Sequence, residues 1–315
     1  MVDVSNADRL VFPEIGRTKG DVVAYYERIA PRLLPHVAGR PLSIKRFPKG
    51  LAAPGFFQKN VPPHYPASIE RFAVPRSPEA SKKHRGKGGN EADVTLYPVI
   101  REAEHLAYVA NQGALELHVP TALAADLEHP DRLIIDLDPP PGRVDLARRA
   151  AHVVHDALAE RGLASAPVAT GSKGYHVVAP LTRSVNFENL FVTLQKFATL
   201  LATKHPDVLT VAFRIAQRGE RVFLDWLRNS PISTVVAPYS LRARPLAPVA
   251  TPLDWSELDT TAPDAFTIGD LERLLERPDS LRALAPSDPA RFISSVDADF
   301  DAAGLELVPF DRFRS

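Results

Sequence analysis

Apolar residues recur at helical spacing through Val22, Val23, Tyr25, Tyr26 and Ile29, behind Thr18, which is placed to cap a helix N-terminus. Pro31 admits one further short turn, and Gly39-Arg40-Pro41 ends the segment. Leu42 to Phe47 and Val94 to Ile100 read as strands, with a short helix at 106–111 and a strand at 115–120 after them. Val144 to Arg161 returns to a helical period, with Leu146, Ala150, Val153, Val154 and Leu158 on one side and Gly162 at its end. Val168 to Thr170 and Tyr175 to Ala179 form the arms of a hairpin around Gly171-Ser172-Lys173-Gly174. Phe187 to Lys204 is a long helix and Arg221 to Leu227 a strand. Thr267 to Leu275 is a helix with a Thr267–Asp270 capping box, and 287–293 is a last helix. Pro245 to Trp255 carries too many prolines for regular structure. Strands and helices mixed without regular βαβ alternation predict an α+β fold. We expect one globular unit over 1–315, with approximate lobes 1–125 and 126–315.

The run that organises the rest is Arg132-Leu133-Ile134-Ile135-Asp136-Leu137-Asp138-Pro139-Pro140. Its apolar part reads as a buried strand, in which residues two apart share a face. Asp136 and Asp138 therefore project together while Leu137 enters the core. Pro139 cannot donate to a ladder, so the carboxylates sit at the strand's mouth. Two like charges this close call for a cation between them, whereas Asp and Pro are also ordinary turn residues. Both readings are open on this stretch alone.

Composition narrows the field. The 315 residues include 38 basic and 38 acidic side chains, so net charge does not announce a nucleic-acid partner, and any such role needs a local patch. One patch stands out: half of the ten residues Ser81 to Asn90 are Lys82, Lys83, His84, Arg85 and Lys87, in an exposed glycine-containing loop suited to a phosphate backbone or simply to solvent. There is no cysteine, which excludes disulfides, zinc–thiolate sites and thiol nucleophiles. No membrane-length apolar run and no signal-peptide pattern is present, so the cytoplasm is the expected location, and a monomer is the expected state.

Four features can share one site: Asp136 with Asp138, the turn from Thr170 to His176, Asp225 at a strand end, and Arg228, Arg242 and Arg244. Three carboxylates suffice for two divalent ions, which clamp the entering and leaving oxygens of a displacement at phosphorus. The glycine-flanked Lys173 turn is suited to phosphate, although GxxxxGK[ST] spacing is absent. Taken singly, His176 is equally a core histidine, and Asp225 equally a partner for Arg221 or Arg228.

These residues carry a resemblance. Leu42-Ser-Ile-Lys45-Arg46-Phe47, Gly55-Phe56-Phe57-Gln-Lys59, Leu115-Glu-Leu-His118, His129-Pro-Asp-Arg-Leu-Ile-Ile-Asp136-Leu-Asp138-Pro, Thr170-Gly-Ser-Lys173-Gly-Tyr-His176, Asp225-Trp-Leu-Arg228-Asn229 and Tyr239-Ser-Leu-Arg242-Ala-Arg244 resemble the polymerase domain of bacterial ligase D, in the primase superfamily of archaea and eukaryotes. The likeness runs from Arg9-Leu-Val-Phe-Pro to the C-terminal helices. It implies a primase-like fold with an RRM-like catalytic sheet beside a second sheet. It also implies nucleotide addition to a primer 3′-hydroxyl in gap filling and end joining.

The resemblance also implies roles. Asp136, Asp138 and Asp225 match the metal triad, with manganese preferred and magnesium an alternative. Thr170 (serine in some relatives), Lys173, His176, Arg218, Arg228 and Arg242 match holders of the nucleoside triphosphate. His118 matches a residue near the primer end and sugar, and Lys45 and Phe57 match contacts to the incoming base. Arg46 and Phe56 fall on the DNA side. Arg9 and Lys19 match a pocket for a downstream 5′-phosphate, in which one usual lysine is arginine here. The loop with Lys82, Lys83, Arg85 and Lys87 is long and basic for the family and suits a template strand or a second DNA end. Relatives often favour ribonucleotides. No ligase or phosphoesterase module falls within these residues, and Met1 suggests a free-standing homologue, working with Ku and a separate ligase. The alternatives are a non-catalytic DNA-end binding module, a primer-synthesising primase and a metal-dependent phosphodiesterase.

Overall fold

The structure is a computed structural model and describes residues 2–76 and 94–307. The expected basic loop at 81–90 lies outside these residues.

Strands β1 (Leu10–Phe12) and β2 (Arg17–Thr18) form an antiparallel ribbon ahead of helix α1 (Lys19–Val37). Thr18 caps α1, accepting from the Asp21 amide while the Asp21 carboxylate returns to the Thr18 amide. As expected, α1 continues past Pro31 and stops just before Gly39, and it runs through Pro35 as well. Each proline removes one backbone donor, but Ile29, Leu33 and Val37 beside them are completely buried, and that packing outweighs the lost bonds.

The chain continues with β3 (Ser43–Arg46), β4 (Phe56–Gln58), β5 (Glu70–Pro75), β6 (Val94–Val99), α2 (Ala103–Asn111) and β7 (Ala114–Val119). Then come β8 (Arg132–Asp138), α3 (Val144–Glu160), β9 (Ala166–Ala169), β10 (Tyr175–Pro180), α4 (Phe187–Lys204), β11 (Leu209–Thr210), α5 (Ile215–Arg218) and β12 (Val222–Asp225). The last elements are β13 (Val235–Val236), β14 (Thr251–Pro252), α6 (Leu271–Glu276), α7 (Ser280–Ala283) and α8 (Ala290–Ala302). The final helix starts later than expected and is longer, because Val296 and Phe300 continue the buried stripe of Phe292 beyond the predicted end. The proline-rich stretch is not wholly irregular. Thr251–Pro252 is the edge strand β14 on β9, a place where proline's missing donor costs no ladder bond.

Two sheets carry the site. One has the order β11-β12-β8-β10-β9-β14, the other β13-β7-β3-β4, with β13 returning from late in the chain to pair with β7. The fold is α+β, and a single buried cluster joins residues of both sheets and the helices against them, from Phe12 and Ile44 to Leu137 and Phe292. No helix among the described residues is long and apolar enough to cross a membrane.

Strand β8 is the centre. Leu133, Ile135 and Leu137 are buried in the core, which leaves Ile134, Asp136 and Asp138 on the other face. Its neighbours are both antiparallel, with His176 of β10 and Asp225 of β12 opposite Asp136. The close approach of the β9–β10 turn requires glycine: a Cβ on Gly174 would lie 2.0 Å from the Leu137 carbonyl oxygen. β12 ends at Asp225, two residues before the expected end, because its Oδ1 accepts from the Leu227 amide at 3.1 Å and turns the chain. Beyond that turn the side chain of Asn229 continues the pairing that β12 has abandoned. It accepts from the Ile134 amide at 2.8 Å and donates to the Ile134 carbonyl at 2.6 Å and the Trp226 carbonyl at 2.9 Å.

Asn229 is fully buried, so its removal strands backbone groups of β8 and of the turn. Asn229→Ala should lower the unfolding free energy by about 2–4 kcal/mol in urea titration. A loss below about 0.5 kcal/mol would mean that β8 does not depend on this clasp.

Candidate active site

The face of β8 that carries Asp136 and Asp138 opens into a cavity of about 550 Å³. Asp136, His176, His118, Arg228, Arg242 and Phe57 all line it, so the six-stranded and four-stranded sheets contribute to one space. Ser43 and Lys59 line it too, as does the segment 232–236, which no sequence pattern singled out. Within that segment Ile232 has φ 63°, a left-handed conformation that a β-branched residue adopts only under constraint.

The acids are unequal. Burial pushes the Asp136 carboxyl up to about 8, and the charges of Asp138 and Asp225 add to the effect. Asp225 is also raised by burial, against the pull of Arg228. Arg228 Nε lies 2.9 Å from Asp225 and 3.8 Å from Asp136, so its guanidinium sits where a cation between the two carboxylates belongs. Asp138, half exposed, faces Arg218 at 3.9 Å. Among the described residues no three acid or imidazole groups converge closely enough to hold an ion as they stand. The donor set still fits one: Asp136 and Asp225 are direct cross-strand partners, Asp138 shares their face, and hard divalent ions take carboxylate oxygens.

His176 is buried, with Nε2 3.5 Å from Asp136. Burial and the nearby Arg242 and Arg228 push its pKa down to about 3, which keeps it a neutral imidazole. Thr170 turns its hydroxyl inward, donating to the Gly174 carbonyl at 2.7 Å, and so braces the turn. Lys173 is exposed on that turn. Arg242 donates to the Thr170 carbonyl at 2.6 Å. Arg218 is fastened to the carbonyls of Ala212 and Phe213, and its guanidinium lies 3.9 Å from the centre of the Phe223 ring. Lys45 reaches toward the rings of Phe47 and Phe57 at 5.5 and 5.7 Å. Phe56 and Phe57 are both half exposed, and Arg46 covers Phe56.

Glu116 had no place in the expected site except as a letter in the motif before His118. It is 3% exposed, and four groups bind it: Ala243 N at 3.1 Å and Lys45 Nζ at 3.5 Å on Oε1, His118 Nε2 at 2.9 Å and Arg242 Nε at 3.4 Å on Oε2. Burial alone would raise its pKa, but His118 and Arg242 hold it down at about 2. The signal was available, because Glu116 and His118 alternate on β7 as the aspartates do on β8.

Arg9 and Lys19 form a separate group. Lys19 is 3% exposed and donates to the Ser5 carbonyl and hydroxyl at 2.6 and 2.8 Å. Burial lowers its pKa, and the charge of Arg9 adds to this. Arg9 Nε is buried without a hydrogen-bond partner, and among the described residues neither cation has a carboxylate.

Comparison with known proteins decides the affiliation. Residues 18–281 match the family described as LigD, primase-polymerase domain. The chain belongs to that family. The LigD described as a multifunctional non-homologous end joining DNA repair protein in Mycobacterium tuberculosis is 38% identical over 271 residues, 83% of this chain and 34% of the relative. The bifunctional non-homologous end joining protein LigD of Bacillus subtilis is 30% identical over 268 residues, 84% of this chain and 41% of the relative. The chain therefore spans well under half the length of these relatives. Among solved structures, the polymerase domain of M. tuberculosis Ligase D in complex with DNA superposes with a TM-score of 0.79 at 34% identity, covering 90% of this chain and 98% of that one.

The raised Asp136 has a consequence for the metal-free protein. A carboxyl whose folded pKa lies near 8, against 3.8 unfolded, holds its proton more tightly in the folded state. Its contribution is fully present below about pH 4 and is lost as pH rises toward 8. Asp136→Asn escapes that loss. In chelator, the variant should have a higher unfolding free energy than wild type at pH 8, by on the order of 1–3 kcal/mol in urea titration, with the gap closing at pH 4–5. A variant less stable than wild type at pH 8 contradicts this charge balance.

Proposed function

We propose that the chain is a template-directed nucleotidyltransferase that extends a DNA primer 3′-hydroxyl during gap filling and end joining. One observation carries the reading. Three carboxylates share a sheet face, and one of them, Asp136, lines a cavity whose walls supply Arg228, Arg242, His118 and an exposed aromatic, Phe57. Acids there suit cations, the arginines suit phosphate, and the ring suits a base. Membership of the LigD primase-polymerase family supports the same chemistry, and the DNA-bound relative supports the substrate.

Asp136, Asp138 and Asp225 would hold divalent ions, manganese or magnesium. When bound, such ions supply charge stabilisation for the attacking and leaving oxygens. The reaction joins the primer 3′-oxygen to the α-phosphorus and breaks its bond to the β-phosphate. The hydroxyl proton goes to solvent and pyrophosphate leaves. Arg228 now pairs with Asp225 and lies beside Asp136, and once relieved of them it is free to turn to the triphosphate. Lys173 and Arg242 add charge on the β10 side, and His176, neutral, serves as a hydrogen-bond partner. Phe57 and Lys45 flank the base, with Arg46 and Phe56 on the template side. Arg9 and Lys19 form an anion pocket at the start of α1 for a downstream 5′-phosphate: the cations are close, partly desolvated and without a carboxylate. Ku and a ligase are proposed partners in the same pathway, and sugar preference is tested with the activity.

Primer extension on gapped, 5′-phosphorylated DNA tests the reading, with ribo- and deoxynucleotides compared in manganese and magnesium. Asp136→Ala and Asp138→Ala should each lose about 1,000-fold or more, the scale of several kcal/mol of transition-state stabilisation. Undiminished extension by either variant overturns the assignment, and hydrolysed rather than extended DNA points to a phosphodiesterase.

The 5′-phosphate pocket is tested separately by gel shift. Arg9→Ala with Lys19→Met should lose roughly 10-fold in affinity for the phosphorylated gap and nothing for its dephosphorylated counterpart. Equal losses on both would assign these cations to general backbone contact.

A further inference from the structure

Glu116 lies at the junction of Lys45, His118 and Arg242, on the side of the cavity opposite the acids. Lys45 is its cross-strand partner on β3, and His118 is two residues on along β7. Arg242 and the Ala243 amide come from the segment after β13, and Arg242 in turn donates to the Thr170 carbonyl beside the β9–β10 turn. One buried carboxylate therefore ties three cationic or imidazole groups of the four-stranded side to the edge of the six-stranded sheet. A carboxylate that merely satisfied one buried neighbour would need neither the second oxygen's pair of contacts nor this position.

Its bond to His118 has chemical content. A carboxylate only accepts, so His118 Nε2 must be the donor in the 2.9 Å contact. His118 Nδ1 has no hydrogen-bond partner among the described residues, and the ring lines the cavity, edge-on to Phe57 with 5.2 Å between centroids. Burial, together with Arg242 and Lys45, lowers the His118 pKa despite Glu116, which favours the neutral ring. A neutral imidazole with its proton on Nε2 offers a lone pair on Nδ1.

We propose that Glu116 is a positioning residue, which sets Lys45 and Arg242 in place and fixes His118 as the Nε2–H tautomer, so that Nδ1 accepts a hydrogen bond from a sugar hydroxyl in the cavity. The proposal rests on the polymerase reading above. It makes His118 an acceptor for a hydroxyl instead of a donor to phosphate, and it makes the order of the cationic wall depend on one side chain that touches no substrate.

The test combines kinetics with a spectroscopic signature. Nitrogen-15 shifts of the His118 ring in the wild-type protein should show the Nε2–H tautomer at pH 7–8, where the lowered pKa leaves the ring neutral. A Nδ1–H ring, or a protonated one, overturns the proposal whatever the variants do. Glu116→Gln keeps the shape and removes the charge. It should lower kcat about 100-fold, the scale of a reacting group displaced by about 1 Å, and raise KM for the nucleotide about 10-fold. Glu116→Asp should recover part of the kcat. Glu116→Gln should add little in a His118→Ala background, because both act on kcat through one ring. Multiplying effects, or a wild-type rate in Glu116→Gln, count against positioning. If wild type itself extends no primer, the polymerase reading fails instead. Circular dichroism melting confirms that each variant is folded, and should Glu116→Gln not fold, the wild-type ring spectrum and Glu116→Asp still decide.

Discussion

The antiparallel pairing of β8 with β10 on one side and β12 on the other is the constraint on which the site depends. It sets His176 and Asp225 opposite Asp136, so one row across three strands carries an imidazole and two carboxylates. A slip of one residue in either pairing would turn a charged side chain into the core and an apolar one into the cavity. Core packing of Leu133, Ile135 and Leu137 opposes such a slip, and Asn229 fixes β8 where β12 has already turned away. The chemistry is thus placed by hydrophobic register, not by the charged groups themselves, whose mutual repulsion works against the arrangement.

That repulsion explains how the cations are distributed. Each acid at the floor has a guanidinium in reach: Arg228 for Asp225 and Asp136, Arg218 for Asp138. The one strong acid of the opposite wall, Glu116, gathers Lys45, Arg242 and His118. These pairs keep the cavity from accumulating charge of one sign, and they hold long side chains that would otherwise lose more freedom on meeting a ligand. The Arg9 and Lys19 pair is the exception: two cations lie close together, and among the described residues neither is paired with a carboxylate.

Much of this was legible from the chain because strand alternation is a strong signal. Asp136 and Asp138 were placed on one face by spacing alone, and the glycines around Lys173 marked the β9–β10 turn. The α+β class followed from the mixed order of elements. Other features depend on tertiary packing that local patterns do not contain. Prolines at 245–255 argued against regular structure, yet β9 offers an edge on which Thr251 and Pro252 form a short strand. The role of Asn229 needed knowledge of where β12 stops. Glu116 was missed for a different reason: its alternation with His118 was as plain as that of the aspartates, but a lone acid among apolar neighbours gains meaning only when Lys45 and Arg242 are brought to it from 71 and about 126 positions away.

The resting charge pattern also bears on how a triphosphate enters. On the polymerase reading, a nucleoside triphosphate with two divalent ions is close to electroneutral, so its arrival need not change the net charge of the cavity. It exchanges partners instead: floor carboxylates pass from arginine to metal, and the released arginine passes from carboxylate to phosphate. An exchange of that kind divides the close ion pairs between two binding surfaces, and it requires Asp136 to release its proton as the cation arrives. Glu116 stands outside the exchange. Its partners are fixed by a buried position and a backbone amide, so the wall it organises stays in place while the floor changes hands. A cavity with one exchangeable and one fixed set of charges can admit the substrate and still hold its sugar and base in a single orientation.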